Sequence, residues 1–361
     1  MRGRGDYFSK LNDYVGRRHV YTIEDAPQIG TRYFGIVDQG TNIVEVRPTS
    51  LCPLNCSFCS VAAGPLEPRR WADFVVRKDA LVEALKSVVK FKGGGVEVHI
   101  DGMGEPAVYP HLADLVQEIR EIGGVSVVSM QSRLFVLDER RVEELAEAGL
   151  DRINLSLDAV DPALAKELAG AGYYDPRRAM ALAEHAVRNT RMDVLVSPVW
   201  LPGINDGEIP KIVEWAIGAG LGKRWPPVLI QKYIPHKRGR SPKGVKAVDW
   251  ASFWRKIKEW EARLGVKLDW RGENPFGVQK RAPLPKPLTV GKKVKVRIIG
   301  RGIFRGEHLA VPVKLTGDPL TDRAITVVSP GRELPPGAEA VVRIIEDEDN
   351  ILIARPEVIY L

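Results

Sequence analysis

NIVEVRPTSLCPLNCSFC, residues 42–59, decides how the rest of the chain is read. Its first half, NIVEVRPTS, alternates apolar and polar residues as a strand does and runs straight into a turn-rich loop bearing Cys52, Cys56 and Cys59. Those three are all the cysteines of the 361 residues. An odd number within eight residues cannot make a disulfide framework, so the loop reads as a ligand cluster in a reducing compartment. A structural zinc site normally takes four protein ligands. The chain has no fourth cysteine, and the nearest histidines, His19 and His99, are not at ligand spacing. Three thiolates on a cubane iron–sulfur cluster instead leave one iron open to a substrate or cofactor.

Outward from this loop, helical and strand-like runs alternate. Strand patterns occupy 42–50, 96–102, 125–132, 152–159, 193–203 and 228–235, with helical spacing over 79–91, 110–122, 138–149, 176–189 and 208–220. Six strands with intervening helices predict an α/β fold: a parallel sheet of right-handed βαβ units, closer to a partial (β/α)6 barrel than to a closed eight-unit one. Functional groups then belong at the carboxyl ends of the strands. Cys52–Cys59, Glu105, Ser132, Asp158 and Pro198 all fall there, so they should converge on one mouth.

The expected division is an N-terminal extension over 1–41, a core barrel over 42–235, a basic, tryptophan-rich helical extension and hinge over 236–287, and a small all-β, OB-like antiparallel barrel over 288–361. The last rests on short alternating runs, KKVKVRII, HLAVPVKL, RAITVVS, AEAVVRIIE and NILIARP, separated by turn residues.

With 44% hydrophobic and 27% charged residues, the composition excludes collagen-like and disordered chains. No stretch approaches the ~18 uninterrupted apolar residues of a membrane helix, and the N-terminus lacks a signal peptide's apolar region, which points to a cytoplasmic protein. The net charge of +7 is unevenly placed: residues 223–295 carry 20 Lys and Arg against 5 Asp and Glu. The rest of the chain is therefore net acidic, and such segregation suggests a polyanionic partner. Plentiful charge with few Asn and Gln leans toward a thermophile.

CPLNCSFC, with an aromatic residue before its last cysteine, resembles the signature of the radical S-adenosylmethionine (radical SAM) superfamily. Two further stretches agree: DGMGEP, 101–106, is similar to the superfamily's glycine–glycine–glutamate turn, and ERRVEELAEAGLDRINLSLDA, 139–159, matches its fourth-strand region. The resemblance spans roughly residues 42–235. It implies a 4Fe–4S cluster on Cys52, Cys56 and Cys59 whose open iron binds S-adenosylmethionine, reduced by a donor such as ferredoxin or flavodoxin to yield a 5′-deoxyadenosyl radical. By the same resemblance Phe58 contacts the adenine. Gly102, Met103, Gly104 and Glu105 hold the methionyl group, with Met103 where a glycine is commonest. Ser156 and Asp158 serve ribose or carboxylate, Ser132 lies nearby, and Pro198 offers a backbone contact. Gln131, Ser132 and Arg133 replace the family's usual Thr-Asn-Gly.

The tail, from about residue 288, resembles the TRAM domain appended to several tRNA-modifying enzymes, through VGKKVKVRIIGRGIFRGEHLAV, 290–311, and PPGAEAVVRIIEDEDNILIARP, 335–356. That resemblance implies phosphate contacts by Lys292, Lys293, Lys295, Arg297, Arg301 and Arg305, with Phe304 stacking on a base. Lys237, Arg238 and Arg240 of the connector would extend this surface. Trp250, Trp254 and Trp260 share a helical stripe with Ile257, which favours core packing over base stacking.

Together the two modules predict an archaeal-type radical SAM enzyme that modifies RNA, with tRNA the expected substrate. With no cysteines left for a second cluster, it is not a two-cluster methylthiotransferase. The rival expectation is a radical SAM enzyme for a peptide or small metabolite, with the tail serving assembly. Tyr173, Tyr174, His236 and Lys232 are further pocket residues to place.

Overall fold

The structure, a computed structural model, describes residues 18–360. Residues 1–17 of the expected N-terminal extension lie outside the described residues. The chain opens with β1 (His19–Ile23), β2 (Gly35–Asp38), β3 (Ile43–Arg47) and β4 (Ala72–Val76), then α1 (Lys78–Lys92) and β5 (Val96–Ile100). There follow α2 (Leu112–Glu121), β6 (Val125–Ser132), α3 (Glu139–Glu147), β7 (Arg152–Leu155), α4 (Pro162–Ala169), α5 (Pro176–Asn189), β8 (Asp193–Val196), β9 (Val199–Trp200), α6 (Glu208–Gly218), β10 (Gln231–Lys232) and α7 (Trp250–Leu264). The tail contributes β11 (Lys293–Arg301), β12 (Glu307–Pro312), β13 (Ile325–Val328), β14 (Glu339–Glu346) and β15 (Ile353–Tyr360).

The main sheet has the order β2-β3-β5-β6-β7-β8. From β3 onward the pairs are parallel, but β2 runs antiparallel on the outer edge. The helices cover one face, where Val44, Val98, Met130, Ile153 and Val194 are sealed from solvent. Because side chains alternate across a strand, the opposite face carries Glu45, His99, Ser129, Gln131, Arg152, Asn154 and Ser156. In register, Glu45 lies beside His99, His99 beside Ser129, and Ser129 beside Arg152. One face is thus apolar core and the other is a polar floor.

This corrects the expected architecture in both halves. The main sheet is an open, mixed sheet whose order ends at β2 and β8, not six parallel barrel units. The expected sixth strand, 228–235, shrinks to a bridge between Val228 and Val196 and the two-residue pair β9/β10. Within that segment Leu229 N–H still donates to Val196 O and Gln231 N–H to Pro198 O, both at 2.8 Å. The edge strand β2 lies in the expected N-terminal extension. In the tail, five strands close into a barrel, β11-β12-β13-β15-β14, which is not wholly antiparallel as expected. The sheet is mixed: β13 and β15 meet in parallel over only two residue pairs, Thr326 with Ile353 and Val327 with Ala354.

The tail is not a detached bead. Ala324 N–H donates to Ile29 O at 2.8 Å and Leu352 N–H to Gly30 O at 2.7 Å, while Trp71 N–H donates to Ile303 O at 2.9 Å. Glu307, buried in the tail, binds the Tyr33 hydroxyl, lies 3.3 Å from Arg32 and pairs with Arg238 of the connector. Phe304 and Ile303 belong to the same apolar core as the main sheet. A second crossing occurs under the sheet: Asn42 exchanges backbone and side-chain hydrogen bonds with Gly277 and Gln279, and Phe276 lies over the Arg152 guanidinium at 4.9 Å.

Candidate active site

The cysteine loop leaves β3 and is fastened by two other segments. The end of α4 takes its amides: Asn55 N–H donates to Ala169 O at 3.0 Å and Ser57 N–H to Leu168 O at 2.9 Å. These bonds satisfy carbonyls that a helix C-terminus otherwise leaves open. Gly170 makes the approach possible: its φ is +59° and a Cβ there would lie 2.3 Å from Asn55 O. On the other side the connector folds over the loop. Arg240 N–H donates to Cys59 O at 2.9 Å, its Nε to Cys56 O at 2.7 Å, and its Nη2 to Ala63 O.

The three thiols are half-buried and free, and they sense one another. Burial holds Cys52 well above the ordinary thiol range, with Cys56 and the Glu105 carboxylate adding to the shift. Burial also pushes Cys56 up to about 11, against the Arg133 guanidinium and with a further push from Cys59. Buried thiols of this kind are inert until a metal displaces the proton. Among the described residues, no three His, Cys, Asp or Glu side chains gather as a site for a single metal ion. The three thiols suit an iron–sulfur cluster, which takes one thiolate for each ligated iron.

The DGMGEP turn lies against the entry to the cysteine loop. Glu105 N–H donates to Leu51 O at 2.8 Å, and a Cβ on Gly104 would stand 2.2 Å from the same oxygen, so only glycine fits. The Glu105 carboxylate is buried and accepts from Ser132 Oγ at 2.7 Å, Arg133 N–H at 3.0 Å and Ala107 N–H at 3.2 Å. Burial raises its pKa, with the Ser132 bond opposing. Glu105 thus ties the end of β5 to the end of β6.

Arg133 is the residue that gathers the rest. Its Nη2 donates to Asp158 Oδ2 at 2.5 Å, and its guanidinium lies over the rings of Phe58 at 5.8 Å and Tyr174 at 5.5 Å. Asp158 Oδ1 in turn accepts from Val199 N–H at 2.9 Å, one residue beyond the buried Pro198. Phe58, Glu105, Ser132, Asp158 and Pro198 therefore do come together beside the cysteines, with Gly102, Met103 and Gly104 in the adjoining turn. Ser156 stands slightly apart, accepting from Gln131 Nε2 at 2.6 Å; the same amide reaches Ser197 Oγ at 3.0 Å. Sequence reasoning missed the centrality of Arg133, although its position one residue past β6 was a signal. Arg240 had none, being separated from Cys56 by most of the sheet.

The residues expected to grip RNA fare differently. Arg240 is committed to the cysteine loop, and Arg238 is paired with buried Glu307 and stacked over Phe304 at 5.3 Å. Phe304 is itself buried and offers no face to a base. On the outer face of the tail, Lys293 pairs with Glu357 at 2.7 Å, Lys295 and Arg297 share Glu339 at 2.6 and 3.3 Å, and Arg301 pairs with Glu333. Lys292 donates to Pro287 O at 2.9 Å and Arg305 to Pro68 O at 3.3 Å. Lys237 is exposed. Alternating strand positions place Lys293, Lys295 and Arg297 next to Glu339 of β14 and Glu357 of β15, so these three charges are neutralised within the sheet.

Of the tryptophans expected in the core, Trp260 is buried against Trp200, but Trp250 is 54% exposed. Tyr174 packs at the site, Tyr173 OH donates to Pro53 O, and Lys232 lies over Trp250 at 5.0 Å. His236 is exposed.

The family model described as the Radical SAM superfamily matches residues 46–216. The chain is 36% identical over 358 residues to an uncharacterized protein of Methanocaldococcus jannaschii, covering 94% of this chain and 80% of that one. The chain belongs to the radical SAM superfamily. As a radical SAM enzyme it uses a 4Fe–4S cluster and S-adenosylmethionine, which the three thiols and the turn beside them fit. It is 28% identical to a GTP 3′,8-cyclase of Chlorobaculum tepidum over 47% of this chain and 48% of that one. It is also 36% identical to a PqqA peptide cyclase of Streptomyces rochei, over 35% and 32%. It thus spans half or less of those enzymes' length. Streptococcus suis SuiB bound to S-adenosylmethionine shares the fold, with a TM-score of 0.50 and 20% identity over 63% of this chain and 51% of that one. Among the described residues no helix is long and apolar enough to cross a membrane.

Proposed function

We propose that this radical SAM enzyme acts on a small polar metabolite held over the polar floor of the main sheet, and that its tail braces the site instead of delivering an RNA. One observation carries this reading: Arg238, Arg240 and Phe304, expected at an RNA surface, are spent on joining the tail and connector to the cysteine loop. A substrate over the floor meets Gln131, Ser156, His99 and Asn154, groups that recognise donors and acceptors on a compact molecule. The cyclases of a nucleotide and of a peptide among the relatives support a substrate other than tRNA.

When bound, the cluster and S-adenosylmethionine supply a radical that takes hydrogen from substrate. The chain's own part is positional. Glu105 fixes the turn at the cysteine loop, Arg133 and Asp158 lock the ends of β6 and β7 beside Phe58, and the connector covers the loop from outside. Phe58, Gly102–Glu105, Ser132, Ser156, Asp158 and Pro198 form the S-adenosylmethionine surface of this reading. The electron comes from a ferredoxin or flavodoxin in a reducing, cytoplasmic compartment. Plentiful charge with few Asn and Gln supports a heat-adapted source. The TRAM-like and tRNA reading of the tail is the competing alternative, and the experiment below decides between them.

The test is anaerobic formation of 5′-deoxyadenosine by reconstituted full-length protein, given in turn a small-molecule fraction, a peptide fraction and total tRNA from source cells. Stimulation by the small-molecule fraction alone is expected. Stimulation by tRNA alone overturns the proposal.

A further inference from the structure

A chain of four side chains crosses the polar floor below the cysteine loop and ends in an open nitrogen. Arg152 Nη2 donates to Glu97 Oε1 at 2.5 Å, and Ser129 Oγ donates to the same oxygen at 2.7 Å. Ser129 Oγ also lies 2.8 Å from His99 Nδ1. A hydroxyl has one proton, and here a carboxylate bound to a guanidinium takes it. The Ser129–His99 bond therefore needs its proton from the imidazole, so Nδ1 carries the hydrogen and Nε2 of the neutral ring carries a lone pair. Nε2 has no hydrogen-bond partner among the described residues and is not a sealed-off buried atom. The neighbours Val98 and Ile100 are buried under the helices, so His99 stands on the opposite face, with substrate in the proposed reading.

We propose that His99 Nε2 is a proton acceptor for an N–H or O–H group of the substrate over the floor, with Ser129 and Glu97 as positioning residues that fix the tautomer. The assignment rests on the function proposed above. In the step, the substrate's N–H or O–H bond breaks, its electron pair stays on the substrate heteroatom, and the proton joins Nε2 to give an imidazolium still bonded through Nδ1 to Ser129. The environment keeps the ring neutral: burial lowers its pKa, Glu97 opposes and Arg152 adds to the lowering, with Glu45 of β3 also opposing. Asp101 and Arg47 stand one step further along the same face.

Diethyl pyrocarbonate, which acylates an unprotonated imidazole nitrogen, tests the acceptor on the reconstituted full chain, with peptide mass mapping as the readout. His99 should be modified at Nε2, with a pH midpoint below 6.5, and Ser129→Ala should shift that midpoint and allow modification at Nδ1. A His99 that stays unreactive at pH 8 while the exposed His236 reacts, or a midpoint at or above 6.5, overturns the proposal. In turnover with the small-molecule fraction, His99→Asn keeps a donor for Ser129 but has no Nε2. It should lower kcat by roughly 10²-fold or more with little change in KM for S-adenosylmethionine. Undiminished turnover by that variant also overturns it. If no small-molecule fraction stimulates the wild type, the function proposed above fails, and the acylation profile still decides the acceptor.

Discussion

Arg240 donates from Nε to the carbonyl oxygen of Cys56 at 2.7 Å, across a sequence separation of 184 residues. The same side chain reaches Ala63 O and lies 3.4 Å from Glu67. A cation in a basic connector, which reads in sequence as a surface for polyanions, is thereby a clamp on the loop that holds the cluster. Replacing it with alanine leaves two half-buried carbonyls open. Since a hydrogen bond from a charged group contributes ~1.5–3 kcal/mol, Arg240→Ala should lower stability by about that much. Its reconstituted cluster should bleach in air several-fold faster than the wild type, followed by visible absorption. Equal bleaching rates would mean the clamp is ornamental.

Asp101 gives a prediction in pH. Burial first, then the Glu45 carboxylate, raises its pKa from 3.8 to about 7, with a Gly102 backbone bond and Arg47 opposing. Between those two values the native state binds more protons than the unfolded chain, so stability falls as pH rises through that window. The penalty is absent near pH 4 and full above pH 7. Asp101→Asn should therefore stabilise the protein at pH 8 by on the order of 2–4 kcal/mol and do little at pH 4. Urea unfolding at both pH values measures it; a gain of the same size at pH 4 would show that charge is not the cause.

Much of this was readable from residues alone because local rules act locally. The helices around 78–92, 139–147 and 176–189 follow apolar spacing and caps such as Asp138 and Asp175, whose side chains accept from the first-turn amides. The convergence of Glu105, Ser132 and Asp158 followed from their places at strand ends. What stayed hidden depends on partners far along the chain. A lysine on β11 looks the same whether it faces phosphate or Glu339. β2 is too short and too evenly buried to show alternation. Arg238 could not announce Glu307, because nothing in either neighbourhood encodes the other.

Gly170 lets α4 touch the cysteine loop, and alanine there should push the two apart. A Cβ 2.3 Å from Asn55 O and 3.0 Å from Asn55 Cβ meets no flexible side-chain end that could give way, and φ of +59° adds left-handed strain. Gly203 is the control, since its φ of +82° is also left-handed but nothing lies within 4 Å of its Cβ position. Both alanine variants should lose roughly 1 kcal/mol to backbone strain. Only Gly170→Ala should also bind less than half the wild-type iron after reconstitution, assayed by iron and sulfide content. Equal iron in the two variants would detach the loop's geometry from α4.

The ion pairs on the tail make the last prediction, and they test the tail's role directly. Lys293, Lys295, Arg297 and Arg301 each have an acidic partner on the same surface, at 2.5–3.3 Å. Exposed pairs of this kind contribute ~0–1 kcal/mol each, so glutamine at all four positions should leave the fold intact. If those cations gripped phosphates, removing four of them would flatten the dependence of log binding constant on log salt by roughly 0.7–0.9 for each cation removed. The structure already spends them on Glu339, Glu357 and Glu333. The quadruple variant should therefore retain total tRNA on a filter as weakly as the wild type, with the same salt slope, and should keep its small-molecule-stimulated turnover. A slope reduced by two or more would return the tail to nucleic acid and take the bracing role away from it.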